Sequence, residues 1–89
     1  METVIVTLCA ENFEKDFELP CAITLGELYP RLLAALQATS SMKFGDYRGV
    51  ILEKDGAGLL ERNATLLDYG ICTGGILTIA REEKYDGVI

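Results

Sequence analysis

The sequence predicts an α+β domain, a mixed sheet of four to five strands covered on one face by one main helix. Three observations carry this reading. Apolar segments with period two stand near both ends, at residues 3–8 and 76–80. Between them Leu25, Leu28, Leu32, Leu33 and Leu36 recur at helical spacing and make one apolar stripe. Glycine-bearing turns at Asp55-Gly56 and Thr73-Gly74-Gly75 separate the remaining strand segments.

In the first segment, Thr3-Val4-Ile5-Val6-Thr7-Leu8, one face is wholly apolar (Val4, Val6, Leu8) and the other mixed. Residues 13–19 follow after a polar connection, with Phe17 and Leu19 alternating with Asp16 and Glu18, so the two strands read as a hairpin. Pro20 ends the second strand because it brings no donor to the ladder.

Thr24-Leu25-Gly26-Glu27 has the form of a capping box, with the threonine hydroxyl capping a free N–H and Glu27 reaching back to another. The helix is expected to start there and to kink at Pro30, which removes one backbone bond and crowds the Gly26 carbonyl. A helix starting at Pro30 is the alternative, but it abandons both the capping box and Leu25. Residues 38–45 read as a loop rich in Ser, Thr and Gly. Val50-Ile51-Leu52-Glu53 reads as a short strand, with a stub of strand at Leu59-Leu60 across an Asp-Gly turn. Residues 63–71 read as one tight helical turn closed by Gly70. The last strand, 76–80, completes a domain of residues 1–81, and residues 82–89 read as a loose charged tail.

Composition narrows function. The chain has 89 residues, 49% hydrophobic and 25% charged, as in an ordinary folded domain. Its net charge is −6, a sign that repels phosphate backbones and anionic lipids, so nucleic-acid partners and direct membrane insertion are disfavoured. Apolar runs reach only three to five residues, far short of the ~20 that span a bilayer. The start, Met1-Glu2-Thr3-Val4, carries no secretory pattern and is expected to begin a cytoplasmic protein. Cys9, Cys21 and Cys72 have no C-x-x-C spacing and fit a reducing compartment. There is no histidine, which removes the commonest general base, metal ligand and activator of nucleophiles.

The stretch Thr65-Leu66-Leu67-Asp68-Tyr69-Gly70-Ile71, followed by a turn and Leu77-Thr78-Ile79, resembles the T-L-x-D-Y-x-I segment before the last strand of ubiquitin. Thr24 with Leu25, Leu28 and Leu32 is similar to that family's helix start, and Val4 to Leu8 to its first strand. The resemblance covers residue 3 to about residue 81 and implies the ubiquitin-like β-grasp fold. Tyr29-Pro30 inside the helix and the run from Leu67 to Gly74 most resemble the YukD-type proteins of bacterial type VII (WXG-type) secretion systems, as does the lack of a conjugation tail. That resemblance implies a non-enzymatic cytoplasmic accessory without cofactor or metal, docking on a membrane-embedded secretion component. The alternative is a small non-catalytic ubiquitin-like subunit of a multicomponent enzyme such as a bacterial monooxygenase. The end, Asp86-Gly87-Val88-Ile89, lacks the terminal diglycine of ubiquitin and the sulfur carriers, so their conjugation chemistry is not implied.

No catalytic constellation emerges. Cys72 reads as an inert thiol, Asp55-Gly56-Ala57-Gly58 as a hairpin turn, and Gly74-Gly75 as a turn within the chain. Tyr69 resembles the tyrosine that ties a loop to the backbone in ubiquitin-like folds. With Val4, Val6, Val50, Leu52, Leu77 and Ile79 pointing to the helix, Ile5, Ile51, Ile76 and Ala80 point outward. These four are the candidate partner-binding residues, expected to form one patch on the sheet's outer face.

Overall fold

The computed structural model of the chain describes residues 2–82. The elements run β1 (Thr3–Ala10), β2 (Phe13–Pro20), α1 (Leu25–Thr39), α2 (Ser41–Phe44), β3 (Val50–Lys54), β4 (Gly58–Leu59), a 3₁₀ turn (Leu67–Tyr69) and β5 (Ile76–Arg81). They form one five-stranded sheet of order β2-β1-β5-β3-β4. β1 and β5 pair in parallel at its centre and the other pairs are antiparallel, so the sheet is mixed, the β-grasp arrangement.

Strand parity follows the apolar alternation. Val4, Val6, Leu8, Val50, Leu52, Leu77 and Ile79 are buried under α1, whose Leu25, Leu28, Tyr29, Leu32 and Leu36 face them. The helix runs through Pro30 and begins at Leu25, which excludes a start at the proline. The threonine half of the expected capping box forms: Thr24 Oγ1 accepts from the Glu27 N–H at 3.3 Å. The free N–H groups of Leu25 and Gly26 donate to the carbonyls of Ala64 and Arg62, both at 2.8 Å. A distant segment thus satisfies donors that a helix start leaves open.

The expected loop at 38–45 is mostly helical. α1 extends to Thr39, and α2 turns Phe44 inward to full burial. Its ring meets Phe13 and Tyr47 edge-on, both at 5.0 Å between centroids. The Gln37 amide donates to the carbonyls of Phe44 (3.0 Å) and Tyr47 (3.2 Å), which holds the corner. Composition suggested a loop because residues 40–45 carry a single large apolar anchor, and its partners lie far away in sequence.

The segment before β5 is locally determined. The Thr65 N–H donates to Asp68 Oδ2 (2.9 Å) and the Asp68 N–H to Thr65 Oγ1 (3.1 Å), a reciprocal cap around the 3₁₀ turn. Gly70 closes it at φ 69°, where a side chain would be strained. The Tyr69 hydroxyl accepts from the Glu61 N–H at 2.9 Å, tying the preceding loop down. Of the expected tail, residues 83–89 lie outside the described residues. Glu82 is held, with its N–H on the Gly49 carbonyl and its carboxylate on Arg62.

Candidate docking face

One face of the sheet carries α1, and among the described residues no layer covers the other. The uncovered face is set by register. Ile5 opposes Glu18, Thr7 opposes Asp16 and Cys9 opposes Glu14, so the β2 carboxylates stand on the same side as Ile5. On β5 the outward residues are Ile76, Thr78 and Ala80. β3 contributes Ile51 opposite Ala80 and Glu53 opposite Thr78, and Leu59 of β4 opposes Glu53.

All four candidate residues lie on this face, but the structure divides them. Ile5 is 47% exposed and Ile76 66%. They lie on adjacent strands two residues out of register, since Ile76 partners Thr7. Ile51 and Ala80 face each other directly at the far end of β5, both half-buried, with Ile51 packed against the core. Thr78 lies between the two pairs, and Ile76 and Ala80 are four residue steps apart along the strand, roughly 13 Å. The expected single patch is two apolar spots. Leu59, 54% exposed, is a further apolar residue that sequence reasoning had only as part of a strand stub.

Carboxylates border the apolar residues on two sides. On the β2 side, Thr3 Oγ1 donates to Glu18 and Thr7 Oγ1 to Asp16, both at 2.7 Å, which orders those acids along the sheet. On the β3 side, Glu53 and Asp55 line a shallow depression of about 420 Å³ together with Ile76 and Thr78. Apolar side chains flanked by ordered negative charge suit a partner carrying aliphatic and cationic groups.

The described residues contain no cluster of three or more acidic or cysteine side chains able to hold a metal. Cys21 is buried, Cys9 half-buried and Cys72 exposed, with the Cys72 thiol 3.5 Å from the Gly70 carbonyl. Burial pushes the Tyr29 phenol above its ordinary value, but its hydroxyl is engaged by backbone on both sides. That geometry is structural.

Residues 3–79 match the family model described as the WXG100 protein secretion system (Wss), protein YukD. The chain belongs to this YukD family. Curated proteins include no match to it. Among solved structures, this YukD-family chain is similar to the ubiquitin-like domain of the Mycobacterium tuberculosis type VII secretion system protein EccD1, with TM-score 0.75 and 23% identity. That likeness covers 89% of this chain and 98% of the other. It is also similar to the EccD5 ubiquitin-like domain from Mycobacterium xenopi, with TM-score 0.77 at 16% identity over 96% and 100% of the two chains. A chain of the MycP5-free ESX-5 inner membrane complex matches 98% of this chain over 23% of its own length, with TM-score 0.70 and 20% identity. At these identities the likeness establishes the ubiquitin-like fold. No helix among the described residues is long and apolar enough to cross a membrane.

Proposed function

We propose that this YukD-family chain is a non-catalytic docking module of a type VII secretion apparatus. It acts on the cytoplasmic side and binds a component of the membrane complex through the outer face of its sheet. One observation carries the reading: Ile5 and Ile76 stand exposed on the face that α1 leaves bare, bordered by the carboxylates of Glu14, Asp16, Glu18, Glu53 and Asp55. Ile51 and Ala80 extend that surface at its far end. The family and the fold shared with domains of secretion-system proteins support the choice of apparatus.

Binding through such a surface rests on a few central side chains, with charge around them setting the association rate. The test is co-purification of the chain with the detergent-solubilised membrane complex of the secretion system. Ile76→Glu should lose the complex while keeping the wild-type melting temperature. Retention of the complex by Ile5→Glu and Ile76→Glu alike would overturn the outer face as the contact.

A further inference from the structure

The geometry points to a second docking site, the free edge of β2, built to receive an extended strand in which basic and aliphatic residues alternate. This site shares the carboxylates of Glu14, Asp16 and Glu18 with the border of the outer sheet face, but its backbone edge and its groove do not depend on that reading.

Among the described residues, β2 is the outermost strand on its side of the sheet. The phase of its hydrogen bonds is set by the Cys21 N–H, which donates to the Glu2 carbonyl at 3.1 Å. In an antiparallel pair, bonded and non-bonded positions alternate. Leu19, Phe17 and Lys15 therefore exchange bonds with Val4, Val6 and Leu8, whereas Glu18, Asp16 and Glu14 turn their N–H and C=O groups away from β1. β1 shows the complementary phase. The Ile5 carbonyl accepts from Gly74, and the Thr7 N–H donates to Gly75, both on the side away from β2. The edge thus presents a row of backbone donors and acceptors of the kind that takes an added strand.

Beneath that edge lies a groove of about 240 Å³ between β2 and α1. Phe17, Leu19, Pro20, Leu28, Leu32 and Ala35 give it apolar walls, and Glu18 and Arg31 add one charge of each sign to its lining. Residues of an added strand alternate between the two faces of the sheet. Those opposite Phe17 and Lys15 enter over the groove, whose apolar walls favour aliphatic side chains. Those opposite Asp16 and Glu18 stand on the outer face beside ordered carboxylates, which favour Lys or Arg. A second copy of β2 is a poor occupant, because Glu14, Asp16 and Glu18 would face their own like charges.

The probe is a capped peptide of alternating valine and lysine, about eight residues long, the length of an ordinary strand. It is titrated into the full chain with amide exchange and methyl shifts read residue by residue. Binding should protect the amides of Glu14, Asp16 and Glu18 and shift the methyls of Ala35 and Leu32. The valine–glutamate peptide should not bind. Asp16→Pro removes an outward donor without touching a backbone bond to β1, losing there only the acceptor of the Thr7 hydroxyl, and should weaken binding about tenfold, the worth of one backbone bond plus the charge. Asp16→Asn keeps the donor and should weaken it less. On the wild-type chain, N-methylation of the peptide amides that face β2 should weaken binding by about tenfold or more. Equal loss in Asp16→Pro and Asp16→Asn would overturn the proposal, as would indifference to N-methylation. Shifts centred on Ile5 and Ile76 would also overturn it, by assigning the peptide to the outer face.

Discussion

The hydroxyl of Tyr29 donates a 2.7 Å hydrogen bond to the carbonyl of Leu60. The same oxygen accepts from the Leu52 N–H at 3.2 Å. One side chain of α1 therefore closes the gap between β3 and the chain leaving β4, where the Leu60 N–H also reaches the Leu52 carbonyl. Tyr29→Phe leaves both backbone groups buried without this partner. It should cost about 1–3 kcal/mol, read as a lower urea midpoint with an unchanged slope.

The same phenol gives stability a pH dependence. Burial raises its pKa above the ordinary 10.0, so the folded state holds the proton more tightly than the unfolded chain. Its contribution is complete below about pH 10 and is lost as pH rises through the folded-state value. Ionisation also removes the donor that Leu60 requires. The stability gap between wild type and Tyr29→Phe should be constant from neutral pH to about pH 9 and narrow above about pH 10. A gap that does not narrow would contradict this assignment.

Phe44 should be among the costliest side chains to truncate, although it lies in a short polar segment. It is fully buried and wedged edge-on between Phe13 and Tyr47. Phe44→Ala should lose about 3–5 kcal/mol, a large part of the ~5–15 kcal/mol total of a small domain. Thermal melts of the two proteins decide it.

At Gly70 the constraint is backbone conformation and not space. Its φ is +69°, and a Cβ there would meet nothing within 4 Å. Gly70→Ala should cost about 1–2 kcal/mol. Gly70→Asn should cost less, because asparagine tolerates the left-handed region. Equal losses in the two variants would show that steric contact, and not φ, is limiting.

On the outer face, stability and binding should separate at one position and mix at another. Ile76 is 66% exposed, so Ile76→Glu should stay within about 0.5 kcal/mol of wild type. Ile51 is half-buried against the core and opposite Ala80, so Ile51→Glu should lower the melting temperature clearly. Ile51→Glu is therefore unsuited to testing the docking face by itself.

The apolar alternation in β1, β3 and β5, the Thr24 cap and the Gly70 turn were legible in the sequence. Each depends on residues a few positions apart, where the strand period, the helix period and local hydrogen bonding leave few choices. The likeness of residues 65–71 to the ubiquitin segment was legible for the same reason. Which residues face outward was readable from parity. How they meet one another was not, because that depends on the register between strands distant in the chain.

Register made two spots of the four candidates, putting Ile51 on Ala80 and setting Ile76 two residues from Ile5. Tertiary packing also drew Phe44 from an apparent loop into the core, since its partners Phe13 and Tyr47 come together only when β2 and α2 dock. The β2 edge and its groove arise the same way: sheet order leaves the strand without an outer neighbour, and α1 supplies the opposite wall. The sequence by itself determined the elements and their faces through short-range periodicity. The tertiary structure decided which faces meet and which stay open, because long-range contacts are chosen by the packing of the whole chain and leave no local periodic signal.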